Sequence, residues 1–403
     1  MTTVIQSLSS FRAELMEEWK RILSYWLIYS PDNRHEGFVG RMDNDNMPDH
    51  RASKGLVLNA RILYTFSAAY RFHAEPEYLQ MAQRAFDYLI NKFRDPFHGG
   101  FYWLLDAEGN KTDGRKQVYG HAFCLYAFSE YYAATEDPHT LELCRELFQI
   151  IEKYAFDSLH AGYLEAFSEN WSALVDQRLS EKDLNCSKTT NTQLHIVEAY
   201  ANLYRVWPDS LLKERIISLL QVFNRYIINP ATGHLRLFFD EGWTESADVI
   251  SYGHDIESAW LLPDCAGAIR DHACFHLMKE QTIPLTNAAA EGLDADGGLW
   301  YEFNLHTHTL VMEKHWWPQA EAMVGFYYAW QLTGNNAYLD YSVRSWRFVK
   351  KHIIDHIHGE WFWGVLKDYS VMQGQDKIGF WKCPYHNARA CLELIKRIDA
   401  TAE

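Results

Sequence analysis

HGGFYW at residues 98–103 and DGGLWYEF at 296–303 are two copies of one pattern, in which a glycine turn runs into a short aromatic stretch with strand-like alternation. Four more copies are HEGFVG (35–40), HAGYLEAF (160–167), TGHLRLFF (232–239) and HGEWFWG (358–364). Their glycines, Gly37, Gly100, Gly162, Gly233, Gly298 and Gly359, lie 63, 62, 71, 65 and 61 residues apart. Self-similarity at a near-fixed period marks one supersecondary unit used repeatedly. A unit this long exceeds the familiar solenoid repeats and has room for two helices and a hairpin. Six units predict twelve helices in an all-α fold: an (α/α)6 barrel of six helix-hairpin repeats, with short β-hairpins in the loops.

The stretches between the turns fit that unit. After each turn comes a polar loop and an apolar-periodic helix, near 54–72, 119–134, 191–206, 254–270, 317–333 and 385–398. These are rich in Ala, Leu and aromatic residues, as a buried inner ring requires. A second helix with a charged stripe follows, as at 77–94 and 209–227, and belongs to an outer ring. The stretch 168–190 is the longest insertion and is expected to cover one end of the barrel. No linker or low-complexity segment interrupts 1–403, which reads as a single catalytic domain.

Bulk composition narrows the function. The chain carries a net charge of −15, which argues against nucleic acid or an anionic membrane surface. Its 15 Trp, 24 Tyr and 22 Phe suit a large core, and they also suit a carbohydrate pocket, where flat sugar faces stack on rings. Seven cysteines, without a CxxC, indicate neither a disulfide framework nor a zinc knuckle. The N-terminus reads as the start of an amphipathic helix rather than a signal peptide, and no stretch is apolar enough to span a membrane. A cytoplasmic protein, monomer or homodimer, is the expectation.

The polar residues at the starts of the inner helices carry the chemistry. They are Arg61, Tyr119 with His121, Asn191 with His195, His254 with Glu257, Trp317 with Glu321, and Trp381 with His386. Inner helices of such a barrel run in one direction, so their N-termini converge on one cavity. Histidines in equivalent places of three repeats favour a functional role over a structural one, whereas His306, His308, His356 and His358 lie in or beside turns and read as structural or surface residues. A helix N-terminus keeps a histidine neutral, and a neutral histidine is a base whose conjugate acid returns the proton. Two such groups on opposite sides of one carbon invert it. Proton removal beside a carbonyl gives an enediolate, for which Arg61 is the natural donor. Glu257, one turn after His254, is placed to fix that ring's tautomer. No HExxH or carboxylate-flanked ligand set, GxSxG, phosphate loop or dinucleotide fingerprint is present, so neither metal nor cofactor is expected.

SKGLVLNARIL (53–63), NTQLHIVEAY (191–200), YGHDIESAWLL (252–262), HWWPQAEA (315–322) and PYHNARACLE (384–393) resemble the motifs of the cellobiose 2-epimerases, within the N-acylglucosamine 2-epimerase superfamily of (α/α)6 barrels. The resemblance covers essentially the whole chain. It implies reversible epimerisation at C2 of the reducing-end glucose of β-1,4-linked disaccharides: cellobiose to glucosyl-mannose, lactose to epilactose, and mannobiose in reverse. Carried over, His254 and His386 match the acid/base pair, His195 the third active-site histidine, and Arg61 the residue at O1/O2. Tyr119, Asn191 and Glu257 match polar contacts, Trp317 and Trp381 the aromatic walls, the latter reaching the second sugar ring. Asp183 and Glu321 receive no catalytic role. The nearest alternatives are a mannose isomerase or an N-acylglucosamine 2-epimerase. A hydrolase or lyase would need paired carboxylates across the bond, and a binding protein would leave the histidine pair without a task.

Overall fold

The computed structural model describes residues 2–402. Its twelve α-helices are α1 (Thr2–Tyr29), α2 (Leu56–Phe72), α3 (Pro76–Tyr88), α4 (Val118–Thr135), α5 (Pro138–Tyr154), α6 (Thr190–Val206), α7 (Ser210–Val222), α8 (Tyr252–Ala268), α9 (His272–Ala290), α10 (Trp316–Thr333), α11 (Asn336–Phe348) and α12 (Tyr385–Ala402). The even-numbered helices pack side by side, α2 on α4 and onward to α12, which returns to α2. That closes an inner ring of six. The fold is an (α/α)6 barrel.

Sequence dictates which helices lie inside. From Leu56 to Ala69 every residue of α2 is buried, as is all of α4 from Val118 to Tyr131, so these helices are surrounded on all faces. Outer helices bury one stripe, for example Leu143, Cys144, Leu147, Phe148 and Ile151 of α5. Four of them, α5, α7, α9 and α11, start on side-chain caps at Asp137, Asp209, Asp271 and Asn335, whose oxygens accept backbone amides of the first turn. Most inner helices lack such a cap: Gly55, Gln117, Ser251 and His315 stand there without one. Their polar ends open onto the barrel axis instead.

Two features depart from the sequence reading. The last inner helix, α12, packs against α1, which stands where the other inner helices have the outer helix that follows them. The short strands mostly pair between repeats rather than within one loop. Lys54–Gly55 pairs with Leu104–Leu105, Lys116–Gln117 with Ala166–Phe167, Lys188–Thr189 with Phe238–Phe239, Val249–Ser251 with Glu302–Asn304, and Glu313–His315 with Gly364–Leu366. A bridge between Met42 and Ile378 completes the circle. The turn of each repeat is thereby tied to the next.

In five of the six repeats one side chain locks the glycine turn to the inner helix. The backbone amide after the turn donates to His121, Gln193, Asp255 or Gln319 in the second to fifth turns. Gly100 has φ +71°, and a Cβ there would lie 2.5 Å from His121 Nε2, so only glycine admits this clamp. In the last repeat Asn387 reaches Glu360, whose carboxylate takes the Trp361 amide. These clamp residues put the five inner helices α4, α6, α8, α10 and α12 in register.

Candidate active site

That register sorts the site into two layers. One residue before the clamp stand His254 (before Asp255) and His386 (before Asn387). Two residues after it stand Phe123, His195, Glu257, Glu321 and Arg389, with Arg61 in the matching place of α2, two residues after Asn59. His254 and His386 therefore share a position, while His195 lies about a turn deeper; the three are not equivalent, as the spacing alone had suggested. The cavity above them has a volume of about 1020 Å³. Arg61, Tyr119, Asn191, His195, His254, Glu257, Trp317, Trp381 and His386 all lie on its wall. His121 does not: Nδ1 donates to the Gln117 carbonyl at 2.7 Å and Nε2 is spent on the turn.

Each histidine has its own support. His254 Nδ1 is 2.8 Å from Ser251 Oγ, and the ring leans on Trp317 at 4.8 Å. Ser251 stands at the helix cap position but spends its hydroxyl on this ring. Glu257, expected to hold His254, does not; it accepts Arg389 Nη2 at 2.9 Å and lies 4.0 Å from His386 Nδ1. The reason is depth, since Glu257 points from the lower layer and the His254 ring turns back toward the helix start. Gly253 permits this packing, for a Cβ would meet Trp317 at 2.5 Å. His386 Nδ1 is 2.7 Å from Glu321 Oε1, and His195 Nδ1 is 2.9 Å from Glu198 Oε2. Trp317 also lies 5.7 Å from His386, so one ring touches both members of the pair.

Burial sets the protonation states. It pulls His254 down to about 3 and holds His386 and His195 below the ordinary imidazole range. All three are neutral near pH 7, through burial ahead of any helix dipole. Burial, with Glu321 nearby, lifts Glu257 well above the carboxylate range. Burial pushes Glu198 upward too, but Arg389 and His195 outweigh it and hold it at about 2. Arg61 Nη2 donates to Tyr119 Oη at 2.7 Å, its plane lies 4.1 Å from the Phe123 ring, and its Nε has no protein partner.

Sequence reasoning missed the deep layer of Glu198, Glu321, Tyr385 and Arg389, and the mouth. At the mouth, Ser180 donates to Asp183 from both N and Oγ at 2.8 Å, Tyr301 stacks on His315 at 3.9 Å, and burial lifts Glu302 to about 7. Residues 179–184 of the long insertion line the cavity. So does His306, read from sequence as structural or surface, because its hairpin projects over the opening; His308, His356 and His358 are exposed.

The fold also builds a carboxylate-flanked set that the sequence hid. Glu257, Glu321 and His386 offer ligand atoms within 4.8 Å of one another. Arg389 Nη2 lies 2.9 and 2.7 Å from the two carboxylates, so a guanidinium already stands where a divalent cation would be held. Exhaustive chelation is expected to leave turnover unchanged, measured with and without added divalent metal; loss restored by metal would refute this.

Neutral histidines above an arginine-lined floor, in a barrel of six helix pairs, make a site equipped to move protons on a small polar molecule. The family model described as N-acylglucosamine 2-epimerase matches residues 37–390. The chain is 45% identical to a cellobiose 2-epimerase of Bacteroides fragilis over 375 residues, covering 93% of this chain and 96% of that one. It is 36% identical to the cellobiose 2-epimerase of Dictyoglomus turgidum, covering 97% and 100%. The solved cellobiose 2-epimerase of Spirochaeta thermophila superposes with a TM-score of 0.94 at 37% identity, over 100% of both chains. The chain belongs to the N-acylglucosamine 2-epimerase family, in its cellobiose 2-epimerase branch.

Proposed function

We propose that the chain reversibly epimerises C2 of the reducing-end glucose of β-1,4-linked disaccharides, with cellobiose and lactose as forward substrates and mannobiose in reverse. The observation that carries this reading is the pair His254 and His386, neutral and at one register, both against Trp317 in a single cavity. The sugar ring opens as a proton passes from O1 to O5, which makes the C2 hydrogen acidic. One histidine removes it at Nε2, the electron pair moves into a cis-enediolate, and Arg61 with His195 holds the charge at O1 and O2. Rotation about C2–C3 presents the other face; the partner histidine, once it has taken a proton from water at Nε2, gives that proton to C2, the first imidazolium returns its own to water, and the ring closes. No electron is gained or lost. The whole chain works as one catalytic domain on a small carbohydrate. Its seven cysteines, all free, accord with a cytoplasmic site of action.

A disaccharide suits the cavity better than a monosaccharide, since about 1020 Å³ stands at the upper end of ligand pockets. Trp381 lies 6.0 Å from Tyr119 on its wall and is assigned to the second ring. Trp381→Ala is expected to weaken cellobiose on the order of tenfold, about 1.4 kcal/mol, with little change for glucose; equal losses would refute that role. Hydrolysis fits poorly: Glu321 is tied to Trp260, His386 and Arg389, and its oxygen lies closer to Glu257 than flanking a glycosidic bond allows. Incubation with cellobiose in D2O, followed by NMR, tests the reading. Glucosyl-mannose deuterated at C2 is expected. Glucosyl-fructose as main product would make the chain an isomerase, and released glucose a hydrolase.

A further inference from the structure

Arg389 lies one layer below the cavity wall, in the same register as Arg61 but without facing the substrate space. We propose that Arg389 is a positioning residue whose single guanidinium sets the ring orientation and the proton affinity of His195 and His386 together. The inference rests on the epimerase reading for its consequence, and on geometry for its substance. Nη1 of Arg389 donates to Glu198 Oε1 and to Tyr385 Oη; Nη2 donates to Glu321 Oε1 at 2.7 Å and to Glu257 Oε1 at 2.9 Å. Glu198 in turn holds His195, and Glu321 holds His386. Tyr385 donates to Glu198 at 2.7 Å, and Trp260 Nε1 to Glu321 Oε2 at 3.0 Å. Glu198 is held ionised and Glu321 accepts from both Arg389 and Trp260, so both act as acceptors and each imidazole carries its proton on Nδ1. That leaves Nε2 as the atom that meets the sugar.

The guanidinium also limits how strongly the carboxylates attract a second imidazole proton. Glu198 and Glu321, the carboxylates bonded to the rings, would pull both toward imidazolium, and an imidazolium cannot act as the base. Facing His386 are Glu321 from α10, Glu257 from α8, Glu198 and His195 from α6, Arg61 from α2, and Arg389 on its own helix. Facing His195 are Glu198, Arg61, Arg389 and the His254 and His386 rings, with the Tyr119 and Tyr385 rings. Arg389 is the cation shared by both sets that contacts their carboxylates. Fixing two histidines through one residue explains why the floor gathers three acids around one guanidinium.

Arg389→Gln removes the charge. The acid limb of kcat/KM on cellobiose is expected to move up by about one pH unit or more. The loss of activity is therefore deepest below neutral pH and part of it returns as pH rises. Arg389→Lys keeps the charge but not the fork, so kcat drops while the limb stays in place. A uniform loss with an unmoved limb, or Lys no better than Gln, would overturn the proposal. If Arg389→Gln fails to fold, Glu321→Gln decides: the limb must move down, and an unmoved limb refutes the linkage. Histidine 15N NMR titration, assigned with His195→Asn and His386→Asn, reads both rings without turnover. If the wild type leaves cellobiose unchanged but the rings still shift in Arg389→Gln, the functional reading alone fails. If it epimerises and the rings do not shift, this proposal alone fails.

Discussion

His386→Asn is expected to abolish epimerisation, lowering kcat by about 10³–10⁴, while exchange of the C2 hydrogen with solvent survives for one epimer of the substrate only. Asparagine keeps a donor toward Glu321, which the native ring meets at 2.7 Å, so the site holds its shape. It cannot take a proton from carbon. His254, held by Ser251 rather than by a carboxylate, remains able to do so from its own side of the sugar. The epimer whose hydrogen faces His254 is therefore deprotonated and reprotonated on one face, acquiring deuterium without inversion. His254→Asn is expected to give the mirror result. Both variants should show wild-type circular dichroism. Substantial turnover in both would remove the pair from the mechanism, and exchange of both epimers in either variant would mean one base serves both faces.

The barrel was legible because its repeat is written in local signals. A glycine turn and an all-round apolar helix need no partner to be recognised, and the predicted inner helix at 119–134 agrees with Val118–Thr135 to within a residue at either end. The candidate residues were legible for the same reason, since helix starts converge once the ring closes. What supports them was not. His195 and Glu198 sit three apart on one helix face, a spacing that was readable in NTQLHIVE. Glu321 and His386 are 65 residues apart, and Arg389 meets Glu198 across 191. Only the common register of the clamp residues brings them together, and that register depends on His121, Gln193, Asp255 and Gln319, whose side chains differ although their task is one. The misplacement of Glu257 has the same origin: helix spacing predicts a shared face, but not which layer a ring turns toward.

Lys116→Met is expected to cost about 3–5 kcal/mol of stability, read as a lowered urea midpoint, because it strands a buried carboxylate. Lys116 Nζ lies 2.7 Å from Asp95 Oδ2, and both side chains are fully enclosed. Asp95 also accepts the amides of Phe97 and His98 at 2.9 and 3.1 Å, so this one pair fixes a glycine turn. Equivalent pairs recur at Lys54–Asp32, Lys188–Asp157 and Lys314–Asp294, at 2.9, 2.7 and 2.8 Å. In the fourth repeat both partners are replaced, by Ile250 and Asn229, as a buried charge cannot be left alone. The pH dependence separates this account from simple loss of packing. Burial alone would raise the Asp95 pKa, yet Lys116 and the two amides hold it below the carboxylate range. The wild-type pair thus stabilises above the unfolded value of about 3.9 and is lost as pH falls through the lower folded value. Without Lys116 burial prevails, the folded pKa rises above the unfolded one, and the penalty grows as pH rises through it. The deficit of Lys116→Met should therefore be largest near neutral pH and shrink toward pH 4, and Asp95→Asn added to it should recover part of the loss. A deficit below about 1 kcal/mol, or one independent of pH, would show that the pair holds the turn by packing rather than by charge.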